Sequence, residues 1–111
     1  MDGREIFKFA VRALTSACKT AVEENELSAD EIAWVIPHQA NLRILNGVAR
    51  RCGVPMERFY VNIDRFGNTS SASVPIALDE ASRKGLLQNE QYVLLCALGG
   101  GIAWGSALIR W

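Results

Sequence analysis

The sequence predicts an α/β fold: a mostly parallel sheet flanked by helices, with an antiparallel last strand, in the order α-β-α-β-α-β-β. Three observations carry that reading. Stretches with apolar residues at steps of three and four alternate with short apolar runs rich in β-branched and aromatic residues, the pattern of strands joined by right-handed helical crossovers. Pro37, Gly53, Gly67 and Gly85 fall at the seams between these stretches, where helices and strands stop. The last two apolar runs are separated only by Gly99-Gly100-Gly101, too short for a crossover and suited to an antiparallel pair.

Taken in order, Ile6, Ala10, Ala13, Leu14, Ala17, Ala21 and Val22 give residues Glu5 to Glu24 one apolar helical face, and Asn25 ends it. Ile32 to Ile36 reads as a strand closed by Pro37, which biases the residue before it toward an extended conformation. Asn41 to Arg51 reads as a second helix with Leu42, Leu45, Val48, Ala49 and Cys52 on one face and Gly53 as its stop. Phe59 to Ile63 is the second expected strand. Gly67-Asn68 makes a turn, and Thr69, Ser70 and Ser71 are candidate caps for a helix from Ser73 to Lys84, with Pro75 in its first turn and Gly85 after it. Tyr92 to Leu98 and Ile102 to Ile109 are the final two strands. Because an α/β unit more often opens with a strand, a further strand is expected ahead of the first helix.

With 111 residues the chain is read as one domain, residues 1–111, long enough to bury roughly 65% of its unfolded surface without disulfides or metal. Twelve basic residues balance twelve acidic ones, so the electrostatic footprint of a nucleic-acid or anionic-membrane binder is absent. Tyr92 to Ile109 carries no charge, but Gly99, Gly100, Gly101 and Gly105 interrupt it, which favours strands over a membrane span. No export signal is visible at Met1-Asp2-Gly3-Arg4-Glu5. Cys18, Cys52 and Cys96 are odd in number and lack CxxC spacing, which disfavours a disulfide framework or zinc site and points to a reducing cytoplasm.

Ligand sites in parallel sheets form beyond the carboxyl ends of the strands. Two such ends carry Pro37-His38-Gln39-Ala40-Asn41 and Phe66-Gly67-Asn68-Thr69-Ser70. His38 is the only histidine, so a hydrolytic triad would have to be built around it alone. A single imidazole beside an amide can instead donate two hydrogen bonds to one oxyanion or enolate oxygen. On spacing alone, His38 reads equally as a satisfied structural histidine, Asn68 as a turn residue, and Gly99-Gly100-Gly101 as a tight connection. Arg43, Gly47, Arg50 and Arg51 fall on the outer side of the second helix, a basic stripe for an acidic partner or a solvated face. None of the cysteines sits at a helix N-terminus, where a thiolate is usually stabilised.

Three strings carry a resemblance: His38-Gln39-Ala40-Asn41-Leu42-Arg43, Gly67-Asn68-Thr69-Ser70-Ser71-Ala72-Ser73, and Gly99-Gly100-Gly101-Ile102-Ala103-Trp104-Gly105-Ser106-Ala107-Leu108. Together they resemble the C-terminal half of β-ketoacyl-acyl carrier protein synthase III, a condensing enzyme of the thiolase fold, over essentially the whole chain. The resemblance implies that His38 and Asn68 are the catalytic pair, that the Gly100 amide joins the oxyanion hole, that Asn41 contacts the pantetheine arm, and that Arg43 docks acyl carrier protein. It further implies acetyl-CoA and malonyl-acyl carrier protein as substrates, no cofactor or metal, a homodimeric complete enzyme, and a nucleophilic cysteine in an N-terminal half absent from this sequence. The chain alone is therefore expected to be inactive. Two other readings remain at this stage: a non-catalytic module that binds acyl carrier protein, and a structural half-domain that assembles through an exposed strand edge.

Overall fold

The computed structural model describes residues 3–39, 41–63, 73–99 and 103–111. In order these form α1 (Gly3–Glu24), β1 (Ile32–Pro37), α2 (Leu42–Cys52), α3 (Ser73–Arg83), β2 (Tyr92–Gly99) and β3 (Ala103–Arg110), with single 3₁₀ turns at Ala29–Glu31 and Met56–Arg58. β2 is the central strand: β1 pairs with it in parallel, Ile32 opposite Tyr92 and Pro37 opposite Cys96, and β3 pairs with it antiparallel, Tyr92 opposite Arg110. The expected α/β class and antiparallel last strand are both present. The predicted turn at Gly67-Asn68, the caps Thr69 to Ser71, and most of the glycine connection lie outside the described residues.

Local chemistry sets the helix limits. Asn25 donates from Nδ2 to the Ala21 carbonyl at 2.7 Å, Glu26 takes the left-handed conformation at φ 56°, and the Leu27 amide reaches back to the Val22 carbonyl at 3.0 Å. These contacts satisfy carbonyls that the helix end would otherwise leave open. Asn41 lies outside α2 as its N-cap, its Oδ1 accepting from the Ile44 amide at 2.9 Å. At the other end Gly53 adopts φ 74°, a conformation with little cost only for glycine.

β1 and β2 are covered on both faces along most of their length, which explains why they read as continuous apolar runs rather than as alternating ones, whereas β3 is exposed from Trp104 to Ala107. On one face Val35, Leu94 and Cys96 meet Leu14, Cys18 and Val48 from α1 and α2. On the other, Ile36 and Val93 meet Ala77 and Ala81 of α3. Ser106 of β3 donates to the Ala17 carbonyl at 2.8 Å, tying the last strand to α1. Among the described residues no helix is long and apolar enough to cross a membrane.

Four sequence expectations are corrected. Phe59 to Ile63 is not a ladder-forming strand: it touches the sheet through one bridge, Val35 to Phe59, and through the Tyr60 amide donating to the Val35 carbonyl at 2.9 Å. Its next backbone groups bond to the Gln39 side chain instead. Ile6 and Leu42, expected in the core, are 50% and 51% exposed, because each lies in a first helical turn and full burial begins later, at Ala10 and Ile44. Gly47 is half-buried rather than outward. A Cβ there would stand 3.3 Å from Val11 Cγ2, so the close approach of α1 to α2 accounts for a glycine inside a helix, where it is otherwise unfavourable.

Candidate active site

His38 is the first residue past β1. Its amide donates to the Cys96 carbonyl at 2.7 Å, carrying the parallel pairing one step beyond Pro37. Because β1 and β2 run parallel, His38 and the carboxyl end of β2 share one rim of the sheet, where the fold class places ligands. The imidazole is half-buried, and burial pushes its pKa below the ordinary 6.5. Burial thus favours the neutral ring, which has one N–H to donate and one nitrogen that accepts.

Asn41 and Arg43 follow within the loop and first turn that His38 begins. The Asn41 side chain caps α2 through its oxygen, which leaves its amide N–H groups turned to a use other than the cap. Arg43 lies over the Phe7 ring at 5.3 Å, a cation–π contact that holds an exposed guanidinium in place. A groove of about 390 Å³ runs between the first turns of α1 and α2, with Arg4, Phe7, Asn41 and Arg43 among its walls. A neighbouring groove of about 470 Å³ carries Arg43, Asn46, Arg50 and Arg51. Arg43 and Phe7 are walls of both grooves, so the first carries Arg4 and Arg43 and the second Arg43, Arg50 and Arg51.

The other two predicted site residues, Asn68 and Gly100, lie outside the described residues. No thiol offers itself as a nucleophile. Cys18 and Cys96 are buried and Cys52 is half-buried. The Cys18 hydrogen bond and then burial push the Cys52 thiol up. For Cys18 a hydrogen bond with Cys52 pulls down, while one with Cys96 and burial outweigh it. Among the described residues no group of three or more His, Cys, Asp or Glu side chains is placed to hold a metal ion.

Sequence reasoning passed over Gln39. It is 1% exposed, donates from Nε2 to the carbonyls of Pro37 and Tyr60, each at 3.0 Å, and accepts from the Asn62 amide at 2.8 Å. The available signal was a long polar residue two positions past a strand whose expected neighbour, Phe59 to Ile63, would need partners for its backbone.

Solved structures place this arrangement in a class. The chain superposes over its full length on 36% of 3-oxoacyl-(acyl-carrier-protein) synthase III from Aquifex aeolicus, with TM-score 0.95 and 45% identity. The corresponding enzyme of Thermus thermophilus gives TM-score 0.93 and 47% identity, again over the full chain and 35% of that structure. The class is that of the thiolase-fold condensing enzymes. Residues 22–111 match the family described as 3-oxoacyl-(acyl-carrier-protein) synthase III C terminal, and the chain belongs to that family. Among curated relatives, the beta-ketoacyl-(acyl-carrier-protein) synthase III of Roseiflexus sp. strain RS-1 is 58% identical across all 111 residues, and that of Xanthomonas oryzae pv. oryzae 54%. In both cases the chain spans 34% of the relative's length.

Proposed function

We propose that this chain is the C-terminal catalytic portion of an enzyme that condenses acetyl-CoA, or another short acyl-CoA, with malonyl-acyl carrier protein and starts type II fatty-acid synthesis in the cytoplasm. The observation that carries the reading is a half-buried His38 on the ligand-binding rim, followed along the chain by Asn41 and Arg43, which line one groove, with Arg43 also lining a second beside Arg50 and Arg51.

A cysteine of the preceding portion first takes the acyl group from the acyl-CoA, releasing CoA as the thiol. The malonyl group then loses CO2: the carbon–carbon bond to the carboxylate breaks, and its electron pair forms an enolate on the thioester. His38 and Asn68 each donate a hydrogen bond to that enolate oxygen, where charge develops. Attack of the enolate carbon on the acyl-cysteine carbonyl forms the new carbon–carbon bond, and the Gly100 amide supports the tetrahedral oxyanion. The carbon–sulfur bond then breaks and returns the cysteine. No cofactor or metal is needed. Arg43, with Arg50 and Arg51 beside it, receives the acidic surface of acyl carrier protein, and Asn41 holds the pantetheine arm. The complete enzyme is a homodimer.

The test is turnover of acetyl-CoA plus malonyl-acyl carrier protein by this chain, alone and with a matching N-terminal portion, with intact mass read after acetyl-CoA. Turnover and a single acetyl adduct only in the combined protein are expected. Acetylation of this chain by itself would make Cys18, Cys52 or Cys96 the nucleophile and overturn the assignment.

A further inference from the structure

Loop residues that bury a long amide completely are uncommon, and Gln39 does so between two segments that both lead to the proposed chemistry. One segment is the end of β1, where Nε2 donates to Pro37, the residue before His38. The other is Tyr60 to Asn62, where the same nitrogen donates to the Tyr60 carbonyl and Oε1 accepts from the Asn62 amide. In sequence Asn62 stands six positions before Asn68. Up to Tyr60 the second segment is held to β1 by the bridge at Phe59, the Tyr60 amide on Val35 and the edge contact of the Tyr60 ring with Trp34, whereas the Asn62 amide is held by Gln39. The His38 backbone, by contrast, is fixed on its other side by the bond to Cys96. A single side chain thus makes two hydrogen bonds to the second segment and is itself anchored by a third to the end of β1.

We propose that Gln39 is a positioning residue, a crosslink that sets the His38 loop and the segment leading to Asn68 in one frame for malonyl decarboxylation. This rests on the function proposed above. A glutamine that merely filled space would, when replaced, lower stability and all partial reactions together. A crosslink that holds the His38 loop against the segment preceding Asn68 has a narrower signature. Acylation of the cysteine, which does not use those donors, is spared. Decarboxylation falls, because displacement of a catalytic donor by about 1 Å costs on the order of 100-fold.

The experiment uses the chain extended by the N-terminal portion of its Roseiflexus relative. Gln39→Met, His38→Ala and the unmutated protein are compared for acylation by acetyl-CoA, read by intact mass, and for malonyl-acyl carrier protein decarboxylation. Rates are expressed per acylatable molecule, so that unfolded protein does not count. Gln39→Met should lower the decarboxylation kcat 10- to 100-fold, with acylation and the KM for malonyl-acyl carrier protein within about twofold. Gln39→Glu, which keeps the acceptor for the Asn62 amide but turns a carboxylate oxygen toward the Pro37 and Tyr60 carbonyls, should lose at least as much. Decarboxylation that survives His38→Ala overturns the functional reading itself. Loss in His38→Ala with unchanged decarboxylation in Gln39→Met, or parallel loss of both partial reactions in Gln39→Met, overturns only the crosslink. If Gln39→Met does not fold, Gln39→Glu decides by the same criteria. If neither folds, hydrogen exchange in the unmutated protein decides: Asn62 and His38 amides protected alike support the crosslink, and rapid exchange at Asn62 overturns it.

Discussion

Substitution at Asn41 separates two duties that one side chain performs through different atoms. Its Oδ1 accepts from the Ile44 amide at 2.9 Å with the backbone extended at φ −68° and ψ 158°, and the first turn of α2 has no acidic residue to share the work. Asn41→Ala therefore leaves a helix-start N–H without its protein acceptor, at a cost of about 1 kcal/mol. For a chain of this size that is a fall in Tm of roughly 4 °C. Asn41→Asp keeps the oxygen and adds a negative charge where the helix dipole favours one, a gain of about 0.3–1 kcal/mol, so its Tm should equal or exceed that of the parent. What aspartate lacks is the Nδ2 donor. If that donor holds the pantetheine arm, as proposed, Asn41→Asp loses one neutral hydrogen bond, about 1 kcal/mol or roughly fivefold in KM for malonyl-acyl carrier protein. Thermal unfolding followed by circular dichroism measures the first duty, and steady-state kinetics of the extended enzyme measures the second. Equal destabilisation by alanine and aspartate would refute the cap. A stable Asn41→Asp enzyme with unchanged KM would refute the pantetheine contact.

Because His38 is the only imidazole, its titration can be followed directly by NMR, and the midpoint should lie below 6.5 because burial disfavours the charged ring. The unfolded chain then binds its proton first as pH falls. The stability owed to neutral His38 is accordingly full above about pH 6.5 and lost below it, a slope that His38→Asn should flatten; a midpoint above 6.5 would contradict the burial argument. Arg43→Glu should raise the KM for malonyl-acyl carrier protein several-fold at low salt and leave acetyl-CoA acylation unchanged, and equal effects on both would remove the docking role. Leu14→Ala, at a fully buried position between α1 and the sheet, should cost about 2–5 kcal/mol by denaturant titration. Labelling of the native chain by a thiol reagent at pH 8 should be slow at all three cysteines, which are buried or half-buried, and become fast on unfolding.

The helices were legible because their signals are local: apolar spacing, Gly53 after α2, and Pro75 within the first turn of α3. The central strand was equally plain, since a strand covered on both faces must be apolar along its length. The segment at Phe59 to Ile63 has the same composition, yet composition does not say whether a backbone will find a ladder. It bonds to a side chain from a loop 21 to 23 residues earlier, and no local signal contains that pairing. The same reason explains Gly47, which reads as part of an outward stripe until Val11 from another helix is brought against it.

The site divides along the same line. Sequence by itself determined which residue types stand beyond each strand, and the strings around His38, Asn68 and Gly100 were enough to assign the family. Only the tertiary structure decided that burial disfavours the charged His38 ring, that Asn41 uses its oxygen on α2, and that Gln39 ties the His38 loop to Tyr60 and Asn62. Charge state and hydrogen-bond partnership depend on desolvation and on groups distant along the chain, and these are set only when the elements pack.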